Sequence, residues 1–178
     1  MQATDEDLIF RITKRDATAL DAFYLRHETP LYHFLRVFTG DEAMATELVN
    51  EAMFTVWQKA DRFEGRSKPK TWLYTIARNR ALDKLRARKP ERYEELQDDK
   101  PDPDAEAPEE RIAAAQDAGK IRTCLSRIRA AHREILQLAF FSEMSQAEIA
   151  GTVGCPEGTV KSRMFHAKRA MRHCLETI

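Results

Sequence analysis

The side chains in this sequence that could do chemistry are mostly cations, and they are clustered. From Lys59 to Lys89 the chain carries 11 Lys and Arg residues and only 3 Asp and Glu residues. A local excess of positive charge of this size is typical of a surface that binds a polyanion, although one charged run is also compatible with a solvated helix face. A second basic domain, described below, favours nucleic acid as the partner.

The residues that catalysis or metal binding would need are scattered along the chain. The five histidines form no His-Glu-x-x-His motif and no His/Cys cluster, and the sequence has no glycine-rich phosphate-binding loop. His173 and Cys174 are adjacent, so on a helix they point to different faces. We therefore predict that the protein is not an enzyme, has no catalytic residues and binds no metal or cofactor.

Cysteine spacing and hydropathy both bear on the cellular compartment. Cys124, Cys155 and Cys174 are odd in number and share no Cys-x-x-Cys spacing, which argues against a disulfide scaffold and indicates a reducing cytoplasm. No uncharged apolar run approaches the roughly 20 residues that cross a bilayer. The N-terminal segment MQATDEDLIF opens with acids rather than with the basic patch of a secretory signal. We expect a cytoplasmic protein with no membrane insertion.

The formal net charge of zero conceals three blocks of different sign. Residues 1–90 carry a net charge of +3, residues 91–110 carry −8 and residues 111–178 carry +5. The acidic block contains three prolines and almost no apolar residues, so it cannot bury enough surface to fold alone. We predict two basic domains, 1–90 and 112–178, joined by an extended, flexible acidic linker over 91–111.

The apolar residues of the N-terminal domain recur at helical spacing, and the chain has only 6 Gly and 7 Pro residues. An all-α fold with two small helical domains is therefore predicted. We expect helices over 5–25, 31–38, 42–60 and 69–88, with Pro30 in the first turn of the second.

The helix predicted over 69–88 has two distinct faces on a helical wheel. The apolar face comprises Trp72, Leu73, Ile76 and Ala77. The other face comprises Thr71, Thr75, Arg78, Asn79, Leu82 and Arg86. A mostly hydrogen-bonding and cationic face is what a DNA or RNA strand requires, although such a face can also be solvated.

The C-terminal domain has the pattern of a helix-turn-helix. Helical periodicity covers 112–128 and 132–141, and the Ser-x-x-Glu motif at 145–148 is a capping box that opens a short helix. Gly154 is suited to ending that helix, and Pro156 is suited to the first position of a longer basic helix. A plain helical hairpin shares the hydrophobic spacing, but the cationic outer face of the last helix favours DNA binding.

Two long stretches resemble a known protein family. ELVNEAMFTVWQKADRFEG, followed by TWLYTIARNRALDKLR, resembles region 2 of the extracytoplasmic-function (ECF) sigma factors of bacterial RNA polymerase. SQAEIAGTVGCPEGTVKSRMFHAKRAM resembles their region 4, and the two stretches lie in the family order. The resemblance implies a transcription initiation factor that binds the β′ and β subunits of core polymerase and directs the enzyme to promoter DNA. It also implies control by an anti-sigma factor in a stress response, and association with the nucleoid when active.

The resemblance assigns three sets of site residues by their positions in these motifs. The set that docks on the polymerase is Glu47, Leu48, Val49, Asn50, Glu51 and Phe54. The set that captures the unpaired strand of the −10 element is Arg66, Lys68, Lys70, Thr71, Arg78 and Asn79. The set that reads the −35 duplex is Lys161, Ser162, Phe165, His166 and Arg169.

Two other functions are compatible with parts of this pattern. A stand-alone helix-turn-helix regulator would need neither the docking helix nor the basic 66–88 segment. A sigma mimic, which binds only an anti-sigma factor, would not need to keep cations such as Arg78, Lys161 and Arg163. The sequence therefore favours the sigma factor over both alternatives.

Overall fold

In the computed structural model the chain is all-α, as predicted, and the structure describes residues 3–97, 118–140 and 142–178. Within these ranges there is no β-strand. The N-terminal domain comprises α1 (Asp5–Thr13), α2 (Ala17–Thr39), α3 (Glu42–Lys59), a 3₁₀ turn (Ala60–Arg62), α4 (Pro69–Arg88) and α5 (Pro90–Gln97). The C-terminal domain comprises α6 (Ala118–Arg127), α7 (Ala130–Phe140), α8 (Gln146–Val153) and α9 (Glu157–Thr177).

The boundaries of the first two helices differ from the prediction. Two helices, α1 ending at Thr13 and α2 beginning at Ala17, replace the single predicted one. The second helix begins there because Asp16 caps it, accepting hydrogen bonds from the backbone N–H groups of Thr18 and Ala19. Arg15, between the two helices, adopts a left-handed φ of 63°. The prediction that Pro30 begins a helix is wrong, since Pro30 lies inside α2. The helix continues through it because apolar side chains before and after the proline are buried in the same core, which offsets the missing backbone hydrogen bond.

The core of the N-terminal domain is formed by α2, α3 and α4, and it fixes the orientation of α4. The Phe34 ring lies 5.6 Å from that of Phe38 and 5.2 Å from that of Tyr74, measured between ring centroids. Leu73, Tyr74 and Ala77 of α4 are fully buried against this cluster. One face of α4 is therefore committed to the domain's own core, and the opposite face is left for other contacts.

The segment that directly follows α4 is helical, where an extended linker is predicted. Residues 90–97 form α5, in which Leu96 is buried and Tyr93 stacks on Arg86 with its ring 4.7 Å from the guanidinium carbon. The Arg92 guanidinium donates hydrogen bonds to the carbonyl oxygens of residues 37 and 38. The expectation of an extended chain is thus wrong for 91–97, because two apolar side chains one helical turn apart suffice to anchor it. The remainder of the predicted linker lies outside the described residues.

The C-terminal domain confirms the helix-turn-helix. Ser145 and Glu148 form the predicted capping box of α8, and Gly154 ends that helix with a left-handed φ of 76°. Pro156 is the N-cap of α9 rather than its first residue. The predicted start of the preceding helix, at 112–117, lies outside the described residues, as does Phe141.

A disulfide joins two of the three cysteines, although their odd number and their spacing argue against a disulfide scaffold. Cys124 of α6 is bonded to Cys174 of α9, with their Cα atoms 5.6 Å apart and 50 residues between them in sequence. Such a separation has no local signature, because the pairing depends on how α6 packs against α9. Cys155, in the turn between α8 and α9, is a free thiol.

Candidate nucleic-acid and polymerase-binding surfaces

The C-terminal domain contacts the hydrogen-bonding face of α4 at Thr71, Thr75 and Arg78 and leaves Asn79 and Arg86 exposed. The guanidinium of Arg78 forms an ion pair with the carboxylate of Glu134, which projects from α7. Both residues are buried, with exposed fractions of 6% for Arg78 and 1% for Glu134. A side chain predicted to meet DNA is therefore enclosed between the two domains.

Two hydroxyl contacts extend this interface along α4. The Thr71 hydroxyl donates a hydrogen bond of 3.0 Å to Oε1 of Glu148, at the start of α8. One turn further on, the hydroxyl oxygens of Thr75 and Thr152 lie 3.2 Å apart. We refer to these two contacts and the Arg78–Glu134 pair together as the interdomain contact. It occupies one continuous stripe of α4 at helical spacing.

The two carboxylates of the interdomain contact lie in different electrostatic environments. Burial raises the pKa of Glu134, because the carboxylate loses its water, while the Arg78 charge and hydrogen bond act in the opposite direction. At Glu148 burial also raises the pKa, but hydrogen bonds from Ser145 and Thr71 and the charge of Lys68 more than offset it, so this pKa lies below its usual value. Glu148 therefore carries a negative charge at neutral pH.

The other residues predicted to bind the −10 strand remain accessible. Arg66, Lys68 and Asn79 are exposed, and Lys70 is half-buried. Arg66 pairs with Glu64 at 2.6 Å on the surface of the loop, and Lys70 reaches Glu143 of the C-terminal domain at 3.8 Å. The structure thus leaves Arg66, Lys68, Lys70 and Asn79 at least partly accessible, on the loop and on α4, and covers the other two residues of the predicted set, Thr71 and Arg78.

The exposed face of α9 carries most of the residues predicted to read the −35 duplex. Lys161, Ser162 and Arg169 are exposed, and Phe165 is half-buried. His166 instead lies inside the domain, 8% exposed, with its ring stacked on His132 at a centroid distance of 5.7 Å. The prediction placed His166 beside the bases, whereas the helix turns its ring towards α7.

The predicted docking set on α3 separates into a buried and an exposed half. Leu48 and Val49 are core residues, with exposed fractions of 0% and 2%, so they do not form part of the outer surface. Their apolar character fitted a docking surface and a core equally well, and the core contacts of α3 decide between them. The side chains that reach the surface are Glu47, Asn50, Glu51 and Phe54.

Ion pairs hold the acidic half of this surface against α4. Nζ of Lys84 lies 2.7 Å from a carboxylate oxygen of Glu47 and 2.7 Å from one of Glu51. The hydrogen bond from Lys84 is the main cause that lowers the pKa of Glu47. Phe54, 59% exposed, extends the same face of α3 one turn beyond these acids. The predicted docking surface therefore consists of an exposed aromatic ring beside negative charges that are held by ion pairs.

The sequence motifs do not mark Glu134 and Thr152 as site residues. Glu134 occupies a core-facing position of α7, one turn from the buried residues Ala130 and Leu138 and beside Ile135. A carboxylate within an apolar stripe signals a buried partner of opposite charge. The sequence therefore indicates that Glu134 has a buried partner, but it does not identify that partner, because Arg78 is 56 residues away.

Comparisons with known proteins agree with the resemblance. The family model for Sigma-70 region 2 matches residues 23–91, and that for Sigma-70, region 4, matches residues 118–171. The ECF RNA polymerase sigma factor SigL of Mycobacterium tuberculosis is 32% identical over 164 residues, covering 92% of each chain. The chain belongs to the ECF sigma factors. Another relative, the ECF RNA polymerase sigma factor RpoE of Cereibacter sphaeroides, is 32% identical over 89% of this chain and 87% of its own.

Solved structures with the same fold include two complexes. The sigma factor RpoE of Bartonella quintana, crystallised with the anti-sigma factor NepR, is 27% identical to this sigma factor, with a TM-score of 0.65 over 86% of this chain and 96% of that one. CnrH, in complex with the cytosolic domain of CnrY, has a TM-score of 0.70 over 97% of both chains at 21% identity, which shows the shared fold. The N-terminal domain is thus region 2 and the C-terminal domain region 4.

Membership of this family makes the protein a transcription initiation factor. Among the described residues, no three His, Cys, Asp or Glu side chains are grouped so as to hold a metal ion. None of the helices that the structure describes is both long and apolar enough to cross a membrane.

Proposed function

We propose that this sigma factor binds core RNA polymerase and directs it to promoters, with region 2 capturing the −10 strand and region 4 reading the −35 duplex. The observation that carries the proposal is that one chain combines a basic α4, a basic recognition helix α9 and an exposed docking face on α3, within matches to both sigma regions. A stand-alone regulator would need only the second of these surfaces.

Docking on the β′ and β subunits is proposed for the exposed face of α3. An aromatic ring bordered by polar and charged groups is the usual composition of an interface hot spot, because the ring supplies apolar contact and the rim supplies orientation. Phe54 supplies the ring, while Glu47, Asn50 and Glu51 form the rim. Leu48 and Val49 contribute from within the domain by fixing the helix that presents them.

Promoter recognition is proposed for α4 with its preceding loop and for α9. Cations such as Arg66, Lys68 and Lys70 would hold the phosphates of the unpaired strand, while Thr71, Arg78 and Asn79 would make hydrogen bonds to it. On α9, Lys161 suits the O6 and N7 acceptors of guanine and Phe165 suits a thymine methyl group. Ser162 and Arg169 lie on the same exposed side and complete this surface.

Control by an anti-sigma factor is proposed as well. The solved complex of the Bartonella quintana RpoE with NepR supports it, since that sigma factor shares the fold and 27% of its sequence with this chain. The proposal includes a role in a stress response, a cytoplasmic location and association with the nucleoid when the factor is active.

The docking proposal is tested by Phe54→Asp, with Phe10→Asp as the matched control. The two phenylalanines are almost equally exposed, 59% and 61%, but Phe10 lies on α1. Loss of a hot-spot ring should weaken binding to core polymerase by at least about thirtyfold, or roughly 2 kcal/mol, and abolish run-off transcription, while Phe10→Asp behaves as the parent. Equal binding by the parent and the Phe54 variant would overturn the docking surface. A parent protein that does not support transcription would overturn the function itself.

A further inference from the structure

We infer that the N-terminal domain has a second surface for single-stranded DNA, which holds the phosphates of the −10 strand where it leaves the loop before α4. We call this surface the turn patch, and it consists of the exposed cations Arg15, Lys59 and Arg62. Its ligand is the sugar-phosphate backbone, so it adds affinity without reading sequence. The inference rests on the proposed function, because the strand that reaches the turn patch is the one that the loop and α4 are proposed to capture.

Contacts between three elements bring the turn patch together. Nη1 of Arg15, in the turn between α1 and α2, donates a hydrogen bond of 2.7 Å to the carbonyl oxygen of Trp57, near the end of α3. The guanidinium carbon also lies 5.4 Å from the centroid of the Trp57 ring. Lys59 is the last residue of α3, and Arg62 is the last residue of the 3₁₀ turn, which packs on α1. Cations that are distant in the sequence therefore share one end of the domain.

The cations of the turn patch differ from those of α4 in their lack of acidic partners. The second half of α4 and the residue after it carry cations that pair with acids of α3 or of its N-cap: Arg80, Lys84, Arg88 and Lys89. In the part of the chain that the structure describes, no acid forms an ion pair with Arg15, Lys59 or Arg62. The 3₁₀ turn contains one exposed acid, Asp61, beside these cations. An excess of positive charge that the protein does not neutralise attracts a polyanion.

The turn patch is continuous with the loop that is proposed to hold the −10 strand. Phe63 directly follows the 3₁₀ turn, and its ring packs on that of Trp72 in α4, with the centroids 5.2 Å apart. The exposed loop cations Arg66 and Lys68 come next in the sequence. Because this packing fixes the 3₁₀ turn relative to α4, the cations of the turn patch and of the loop form one track towards the start of α4.

Aromatic rings beside the cations favour a single strand over a duplex or an acidic protein segment. Trp57 and Phe63 are half-buried, so part of each ring remains accessible next to the turn patch. Surfaces that bind single strands without sequence preference combine cations that follow the backbone with rings on which bases stack. A duplex keeps its bases stacked inside the helix and gains nothing from such rings. The composition of the turn patch therefore matches a melted strand.

Neutralising two members of the turn patch tests the inference. Lys59→Gln/Arg62→Gln keeps Arg15, because its hydrogen bond to the end of α3 also fastens the turn after α1. The probe is a fluorescein-labelled single-stranded oligonucleotide of mixed sequence, titrated by fluorescence anisotropy at several salt concentrations without polymerase. Loss of two phosphate contacts should weaken binding about twentyfold at about 0.1 M salt and reduce the slope of log K against log salt concentration by about 1.4. Lys120→Gln/Arg129→Gln, which removes one lysine and one arginine from exposed positions of region 4, should bind as the parent does. Equal affinity and salt slope for the patch variant and the parent would overturn the inference, and so would an equal loss in the control.

The length of the oligonucleotide separates a continuous track from an isolated patch. Probes of about 6 and about 16 nucleotides lie within the usual range of site sizes for single-strand binding. The parent should bind the longer probe more tightly, because only that probe reaches both the loop and the turn patch. This gain should be largely lost in Lys59→Gln/Arg62→Gln and in the loop variant Arg66→Gln/Lys68→Gln. An equal gain with length in the parent and both variants would overturn the inference.

Assembly with core polymerase distinguishes failure of this inference from failure of the proposed function. Lys59→Gln/Arg62→Gln should bind core polymerase as tightly as the parent, and its open complexes should dissociate faster after a heparin challenge. Weaker binding to core polymerase with unchanged oligonucleotide binding would assign the turn patch to a protein partner and overturn the inference. A parent that supports no run-off transcription would instead overturn the proposed function, and the oligonucleotide titrations would still decide whether the turn patch binds a strand.

Discussion

The helices α4 and α9 are both basic and were both expected to face DNA, but the structure places them differently. Region 4 covers Thr71 and Arg78 on the α4 face that is proposed to bind the strand, whereas the α9 face that is proposed to read the duplex presents Lys161, Ser162 and Arg169 to solvent. This difference matches the two tasks, because a −35 duplex can be read as it stands, while a −10 strand becomes available only after the DNA has been melted. Under the proposed function, the side chains that read the duplex are accessible in this arrangement, whereas Thr71 and Arg78 of the strand-binding set are not.

The largest expected effect comes from breaking the ion pair between Arg78 and Glu134, where region 4 covers α4. Arg78→Ala leaves the carboxylate of Glu134 buried and unpaired, which should disfavour the closed arrangement by about 3–5 kcal/mol. Small-angle X-ray scattering of the free protein should report a larger radius of gyration, whereas Arg66→Ala, a change in the exposed loop, should leave it unchanged. A compact Arg78 variant would contradict the role given to this ion pair.

A substitution on the exposed face of α9 should have the opposite effect, changing DNA binding but not the radius of gyration. Lys161→Ala should weaken binding to −35 duplex DNA by about 1–3 kcal/mol and relax discrimination at one base pair, without altering the radius of gyration. Lys120→Ala, in an exposed position of α6, is the matched control. A uniform loss across all promoter variants would instead make Lys161 a phosphate contact.

His166 marks the limit of the exposed face of α9, because its ring lies inside the domain. His166→Ala should lower the free energy of unfolding of region 4 by about 1 kcal/mol, since it removes a buried ring stacked on His132. Urea unfolding measures this loss, and selection from a promoter library should return an unchanged base preference. An altered base preference at unchanged stability would show that His166 does contact DNA.

The smallest expected effect is a pH dependence of stability in the N-terminal domain alone. Hydrogen bonds from Thr18 and then Arg11 lower the pKa of Asp16 to about 2, and all three residues belong to the N-terminal domain. Because the pKa in the folded state lies below the ordinary value near 3.8, this contribution to stability is complete above about pH 4. It is lost as the pH falls towards about 2. Asp16→Asn should flatten the acid dependence of region 2 in this window, as followed by circular dichroism, and a parallel curve for the variant would contradict the assignment.

The local features of the fold were predictable from local sequence. The capping box at 145–148, the turn at Gly154 and the cationic helix that follows depend on residues a few positions apart, and the structure confirms them. The course of α2 through Pro30 was not predictable, because tertiary burial on both sides of the proline outweighs its local preference. For the same reason two apolar residues sufficed to fold the start of the linker as α5.

The residue types of the candidate site were predictable from the sequence, but which of its side chains are exposed was not. Arg78 and Thr71 occupy the helix face that the wheel identified, but no periodicity shows that Glu134 and Glu148 of another domain cover that face. The same limit applies to Leu48 and Val49, whose apolar side chains fit a docking surface as well as a core. Long-range pairing, rather than helix formation, is the information that a single sequence lacks.

The most direct test of the role proposed for the covered side of α4 is a distance between α4 and α8, measured before and after promoter opening. Asp83 and Gly151 are exposed positions on these helices, and a Cβ at Gly151 meets no other atom within 4 Å, so unnatural amino acids for dye coupling fit at both. Energy transfer should report one short distance in the free sigma factor and a clearly longer one in the open complex with core polymerase. The same short distance in a transcriptionally active open complex would contradict the proposal that this face of α4 binds the −10 strand.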